Sequence, residues 1–157
     1  MSLDPKREYR DAAVRNATPV RLILMLYEAA IEDLRRISSA IQDNDVQRRT
    51  DEAHHFLQVL NQLQGSLDMD RGGEVAGNLD RYYGLVRSQL LQAELKNSTQ
   101  IVQDILSQFL SLHQAWLEVE RATSATAHPT APDEPAALSS NTSAPSAENS
   151  PTKEWSA

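Results

Sequence analysis

The sequence predicts an all-α fold, an antiparallel up-down four-helix bundle with an N-terminal arm or short helix and a disordered C-terminal tail. Four segments carry apolar residues at alternating spacings of three and four, the pattern of helices with one face turned inward. Short polar or glycine-containing breaks separate these segments, so successive helices are expected to run antiparallel. No segment shows the period of two that a half-buried strand requires.

The composition divides the 157 residues into three parts. Residues 1–17 are polar overall and are expected to form an arm or short helix that lies on the bundle. Residues 18–121 hold the four apolar segments and form the predicted bundle domain. Residues 122–157 are mostly Ala, Ser, Thr and Pro, which bury too little apolar surface to offset chain entropy, so a disordered tail is predicted.

The first bundle helix is predicted to begin at Pro19, because Thr18 can cap a first turn and proline fits the first helical position. Residues 22–27 are all apolar or aromatic, so both sides of these two turns need a cover, from the rest of the chain or from a partner. The core face of this helix is predicted as Ile23, Tyr27, Ala30, Leu34, Ile37 and Ile41.

The next three helices follow the same pattern. Asp45 is a plausible cap for the second helix, Gly72-Gly73 mark the break after it, and Gly84 inside the third helix is expected to permit close packing. Their core faces are predicted as Ala53, Phe56, Leu60, Leu63, Leu67; Val75, Leu79, Tyr82, Val86, Leu90, Ala93; and Val102, Ile105, Phe109, Leu112, Trp116, Val119.

The charge and composition argue against several classes of function. A net charge of −7 disfavours binding to nucleic acid or to an anionic membrane, since both need clustered Lys and Arg. The chain has no cysteine, no secretory h-region near its start and no apolar run close to the ~20 residues that span a bilayer. A cytosolic protein is therefore expected.

Catalytic and metal sites are not predicted. A di-metal carboxylate site in a bundle needs two Glu-x-x-His motifs, and only the one ending at His55 is present. His113 has no serine or cysteine nucleophile to pair with, and the charged clusters, including Glu32-Asp33, are expected to be solvated helix faces. We expect no cofactor and no enzymatic activity.

Additional apolar residues lie beside the core faces of the first, third and fourth helices. They either broaden the core or form a groove for an amphipathic partner helix. These residues are Leu24, Ile31, Leu91, Leu95, Leu106, Leu110 and Leu117.

Four stretches, in their order and spacing, give the chain a specific resemblance to a known family over about residues 9–119. They are Asn16-Ala-Thr-Pro with the apolar run that follows, Ser66-Leu-Asp with Gly72-Gly-Glu-Val-Ala-Gly-Asn-Leu, Leu90-Leu-Gln-Ala with Lys96-Asn97, and Ala115-Trp116. The chain resembles the flagellin-specific flagellar export chaperones (FliS-like). Tyr82-Tyr83-Gly84 and Glu94 depart from the usual family pattern.

The resemblance implies a four-helix bundle in the cytosol that binds the C-terminal segment of flagellin, prevents its premature polymerisation and presents it to a component of the flagellar type III export gate. It also implies an arm anchored by Tyr9, with Lys6 at a usually apolar anchor position. A regulatory bundle that sequesters another amphipathic helix, or self-associates, is the alternative. The expected partner-binding residues are Tyr9, Val14, Leu24, Leu26, Tyr27, Ile31, Tyr83, Leu91, Leu95, Leu106, Leu110 and Leu117.

Overall fold

The computed structural model describes residues 4–127, apart from the side chains of Tyr9, Ala13, Thr126 and Ala127. The described elements are α1 (Pro5–Arg15), α2 (Pro19–Gln42), α3 (Val46–Gly65), α4 (Gly73–Lys96) and α5 (Thr99–Ala127). Helices α2 to α5 are the four predicted bundle helices, and α1 is the short helix expected in the arm. Residues up to Glu120 form one compact unit, and helical residues 121–127 belong to a second one.

Two predicted helix starts are confirmed with their caps. Helix α2 begins at Pro19, and the Thr18 hydroxyl accepts a hydrogen bond of 3.1 Å from the backbone N–H of Arg21. Helix α3 begins after Asp45, whose carboxylate accepts one of 3.1 Å from the backbone N–H of Arg48. Each cap satisfies a backbone donor that has no partner inside the helix.

Hydrogen bonds between helices set the antiparallel order. Three pairs join α2 to α5, namely Arg21–Glu120, Glu28–His113 and Ser38–Gln103. The residue numbers of each pair add to the same total, so the two helices keep one antiparallel register. Hydrogen bonds also join α2 to α3 through Asp33–His55, α3 to α4 through Gln64–Asp80 and α4 to α5 through Tyr82–Gln108.

The core contains most of the predicted aliphatic residues and a cluster of aromatic rings, whereas Val119, predicted for the core face of α5, is 44% exposed. Tyr27, Phe56, Tyr83 and Phe109 come from four different helices and are fully or almost fully buried. The ring centroid of Phe109 lies 5.3 Å from that of Tyr27 and 5.6 Å from that of Phe56. Tilted ring pairs at this spacing add stabilisation beyond their buried area.

The predicted core face of α4 was wrong at Val75 and omitted Ala76 and Tyr83, while half-buried Leu79 and Tyr82 pack against the core. Tyr83 is 1% exposed and Ala76 is buried, whereas Val75 is 66% exposed and Tyr82 is half-buried. From the sequence pattern alone, either Tyr82 or Tyr83 could face the core. The structure turns Tyr83 inward because its hydroxyl meets that of Tyr27, while Tyr82 reaches Gln108 at the surface.

Two further expectations were wrong. Gly84 is exposed, and a Cβ atom added there would meet nothing within 4 Å, so it permits no close packing inside the bundle. Helix α5 continues to Ala127, so residues 122–127, which begin the predicted tail, are helical. Alanine favours this extension because it has the highest helix propensity. The rest of the predicted tail, residues 128–157, lies outside the described residues.

Candidate partner-binding surface

The expected partner-binding residues divide into buried and accessible groups. The buried residues, which offer no surface to a partner in this conformation, are Leu24, Tyr27, Ile31, Tyr83 and Leu106. The exposed or half-buried residues are Val14, Leu26, Leu91, Leu95, Leu110 and Leu117. The side chain of Tyr9 lies outside the described residues. A binding role for any of them stays a prediction.

A pocket of about 400 Å³ lies where α1, the start of α2 and the end of α3 meet. The run of residues 22–27 explains it, because Leu24 and Tyr27 point into the core while Leu22 and Leu26, one turn apart, line the pocket. The pocket is lined by Val14, Pro19, Leu22, Ile23, Met25, Leu26, Gln62 and Ser66. The run is therefore covered on its core side and accessible on the other.

A second groove, of about 510 Å³, follows the boundary of α4 and α5. Its apolar side chains are Val75, Leu79, Tyr82 and Leu112, and its polar ones are Asn78, Ser107, Gln108 and Ser111. The sequence did not predict this groove, since none of these residues was expected to bind a partner. Ser107 and Ser111, one turn apart on α5, were the available signal because small side chains admit a neighbouring helix.

The boundary of α2 and α5 is closed by its own side chains. The Arg21 guanidinium donates to both carboxylate oxygens of Glu120, at 2.8 and 2.5 Å. Nε2 of His113 lies 3.0 Å from the Glu28 carboxylate. The same register places Leu24 opposite Leu117, between these two polar pairs. Leu24, Ile31 and Leu106 are buried, which fits the broadened core that was one of the two alternatives.

Two tyrosine hydroxyls meet inside the bundle. Those of Tyr27 and Tyr83 are 2.6 Å apart, so each of these two buried polar groups has a hydrogen-bond partner. Burial raises the pKa of both phenols above the ordinary tyrosine value. Both are therefore neutral at physiological pH, and one hydroxyl donates a hydrogen bond to the other.

One acidic residue is buried where the sequence predicted a solvated face. The Asp33 side chain on α2 is only 2% exposed, and its Oδ2 lies 2.6 Å from Nδ1 of His55 on α3. Burial raises the pKa of the Asp33 carboxyl, and the hydrogen bond to His55 lowers it by less. Glu32 and Arg36 are exposed as expected and form an i,i+4 ion pair at 3.6 Å.

The described part of the chain shows neither a metal cluster nor a membrane span. Residues 4–127 contain no group of three or more His, Cys, Asp or Glu placed to hold a metal ion. Over the same residues, no helix combines the length and apolar character needed to cross a bilayer. The distinctive surface features are the apolar pocket at α1–α3 and the α4–α5 groove.

Comparison with known proteins gives consistent matches. The profile of the family described as "Flagellar protein FliS" matches residues 2–123. The chain is similar to the flagellar secretion chaperone FliS of Salmonella typhimurium, with 30% identity over 110 residues, 69% of this chain and 82% of that protein. Flagellar secretion chaperone FliSB of Pseudomonas aeruginosa is 29% identical over 68% of this chain and 84% of its own length. The FliS of Bacillus subtilis is 27% identical, covering 72% and 84%.

Proposed function

Because the chain belongs to the FliS family of flagellar secretion chaperones, we propose that it is an export chaperone that binds the C-terminal segment of flagellin. Binding hides the part of flagellin that would otherwise start filament assembly in the cytosol. The observation that carries this proposal is the family match over residues 2–123, which includes helices α1 to α4 and most of α5.

The accessible apolar surface supports binding of an amphipathic segment. The pocket at α1–α3 and the α4–α5 groove are lined by different helices, so one short helix would not fill both. Leu91 and Leu95, on α4, are 58% and 76% exposed. A segment of about 40 residues is about 60 Å long when helical and can wrap from one surface to the next.

Delivery follows from the same complex. We infer that the chaperone presents bound flagellin to a cytosolic domain of the type III export gate and touches the membrane only through that partner. Binding of this kind is stoichiometric and requires no catalytic residue or cofactor. Affinity of the isolated gate domain for the chaperone–flagellin complex, compared with its affinity for each protein alone, tests this step.

Inhibition of flagellin polymerisation tests the proposal. Purified monomeric flagellin is seeded with filament fragments, and elongation is followed by light scattering at increasing chaperone concentration. We expect a one-to-one ratio of chaperone to flagellin to stop elongation. No inhibition at a severalfold excess would contradict the proposal.

A pair of variants locates the surface in the same assay. Leu91→Asp/Leu95→Asp replaces two exposed leucines, and burial of each is worth about 1.5–3 kcal/mol at a complete interface. We expect this variant to require at least about tenfold more protein for the same inhibition. Val46→Asp is the control, since Val46 is 60% exposed at the start of α3, outside the proposed surface. Equal losses in both variants would contradict the assignment.

A further inference from the structure

The boundary between α2 and α3 begins at the apolar pocket. Leu22 and Leu26 line the pocket from α2, and Ser66 and Gln62 line it from α3. The antiparallel register of the two helices places Leu22 opposite Ser66 and Leu26 opposite Gln62. Two consecutive turns of α2 therefore present an apolar side chain at this boundary, which we call the α2–α3 groove and follow from Leu22 and Ser66 to Asp33 and His55.

The same boundary becomes acidic two turns further along α2. Asp33 lies there opposite His55, and next comes Arg36, whose guanidinium lies 4.0 Å from the Glu52 carboxylate and 3.6 Å from that of Glu32. The carboxyl groups of Glu32, Asp33 and Glu52 therefore have only the Arg36 guanidinium and the His55 imidazole as nearby partners among these contacts. The Arg36 charge is divided between two glutamates, which leaves His55 as the partner of Asp33.

Helix geometry relates the two ends of the groove. Seven residues separate Leu26 from Asp33, which corresponds to about 10 Å along the helix axis. Consider a partner helix that lies along the groove and places apolar side chains in the pocket. Two turns further along the same face, its side chains would lie next to Asp33. The groove therefore specifies both the type and the spacing of the residues that fit it.

His55 is suited to leave Asp33 when a partner arrives. Its side chain is 56% exposed, so it can rotate into solvent without opening the core. Burial disfavours the charged form of Asp33 and raises the pKa of its carboxyl. A Lys or Arg side chain, which is always cationic at physiological pH, forms a charge-assisted hydrogen bond to such a carboxylate.

We propose that the α2–α3 groove binds a cargo helix that carries a Lys or Arg two turns beyond its apolar anchors, and that this cation replaces His55 on Asp33. The inference rests on the proposed function, because the cargo helix is taken to belong to the C-terminal segment of flagellin. It adds a specific recognition contact to a surface that is otherwise apolar.

A double-mutant cycle tests this contact. The probe is the C-terminal segment of flagellin from the same organism, with each Lys and Arg replaced in turn by Gln, titrated calorimetrically into wild-type chaperone and Asp33→Asn. We expect one replacement to lower the affinity for wild-type chaperone about tenfold and to have little further effect with Asp33→Asn. Asp51→Asn, at an exposed carboxylate on α3, is the control and should leave every replacement's effect unchanged.

Two variants at exposed His55 test the exchange without altering the buried carboxyl. His55→Lys supplies a resident cation to Asp33 and is expected to weaken binding of the segment about tenfold. His55→Ala removes the competitor, so affinity should stay the same or rise. An equal loss of affinity in His55→Lys and His55→Ala would overturn this inference alone. So would the absence of any flagellin Lys or Arg whose replacement is coupled to Asp33→Asn. Failure of wild-type chaperone to bind the segment would overturn the proposed function with it.

Discussion

At the scale of single residues, the paired tyrosines show how a polar group is accommodated in the core. The hydroxyls of Tyr27 and Tyr83 are 2.6 Å apart, and the ring of Phe109 packs against Tyr27. Each phenol places its ring in an apolar environment and gives its hydroxyl a partner. Replacement of one tyrosine leaves the other hydroxyl without this partner.

We expect Tyr83→Phe to lower the free energy of unfolding by about 1–2 kcal/mol, because the buried Tyr27 hydroxyl loses its hydrogen bond to Tyr83. Urea denaturation followed by circular dichroism measures the change. Tyr82→Phe is the matched control, since half-buried Tyr82 bonds to Gln108 at the surface, where water can replace the bond. Equal effects of the two substitutions would contradict a special role for the buried pair.

The same pair predicts a loss of stability at alkaline pH. Burial raises the pKa of Tyr27 and Tyr83, so the folded protein keeps two protons that the unfolded chain releases near pH 10. The contribution of these protons is fully present below about pH 10 and is lost as the pH rises further. We expect unfolding free energy to fall more steeply above pH 10 in wild type than in Tyr83→Phe. Parallel curves in urea titrations between pH 8 and 11 would refute this.

Residue-level predictions failed where long-range contacts decide the outcome. Asp33 stands in a charged stretch of sequence, and only the arrival of His55 from α3 makes its burial tolerable. Tyr82 and Tyr83 are equivalent by local pattern, and a partner more than 50 residues away selects one of them. Neither contact is visible in a window of a few residues.

At the scale of elements, helix starts were predictable because their signals are local. Thr18 with Pro19, and Asp45, act within one turn of their own backbone. The continuation of α5 past residue 121 was not predicted, because the stretch of Ala, Ser and Thr there carries no clear local signal for a helix end. Helix existence and type are thus encoded more strongly than helix ends.

Gly84 offers a test at the element scale. The position is exposed in the middle of α4, with nothing near an added Cβ, so Gly84→Ala should raise the free energy of unfolding by about 0.5–1 kcal/mol through helix propensity alone. Thermal and urea denaturation measure the gain.

Gly72 provides the opposite control. A Cβ at Gly72 would lie 2.6 Å from both the Ala76 Cβ and the Asp68 carbonyl oxygen, so Gly72→Ala should destabilise the protein. A loss of stability in Gly84→Ala would show that the exposed glycine has a role that the bundle itself does not explain.

At the scale of the whole molecule, the order and antiparallel packing of the helices followed from periodicity and short connections. The surfaces did not follow as readily. For an apolar residue beside the core face, a small rotation of the helix decides whether its side chain is buried or exposed. Leu106 is buried, for example, while Leu110, one turn later, is exposed. The α4–α5 groove depends on the relative placement of two helices, which a one-dimensional pattern does not contain.

Calorimetric titration of this protein with monomeric flagellin from the same organism, beside the same flagellin lacking its C-terminal 40 residues or so (about 60 Å of helix), tests the proposed role most directly. Our proposal predicts one-to-one binding of the complete flagellin and no binding of the shortened one. Equal binding of both would show that the C-terminal segment is not the determinant. Absence of binding to either would favour the alternative, a bundle that sequesters a different amphipathic helix or self-associates.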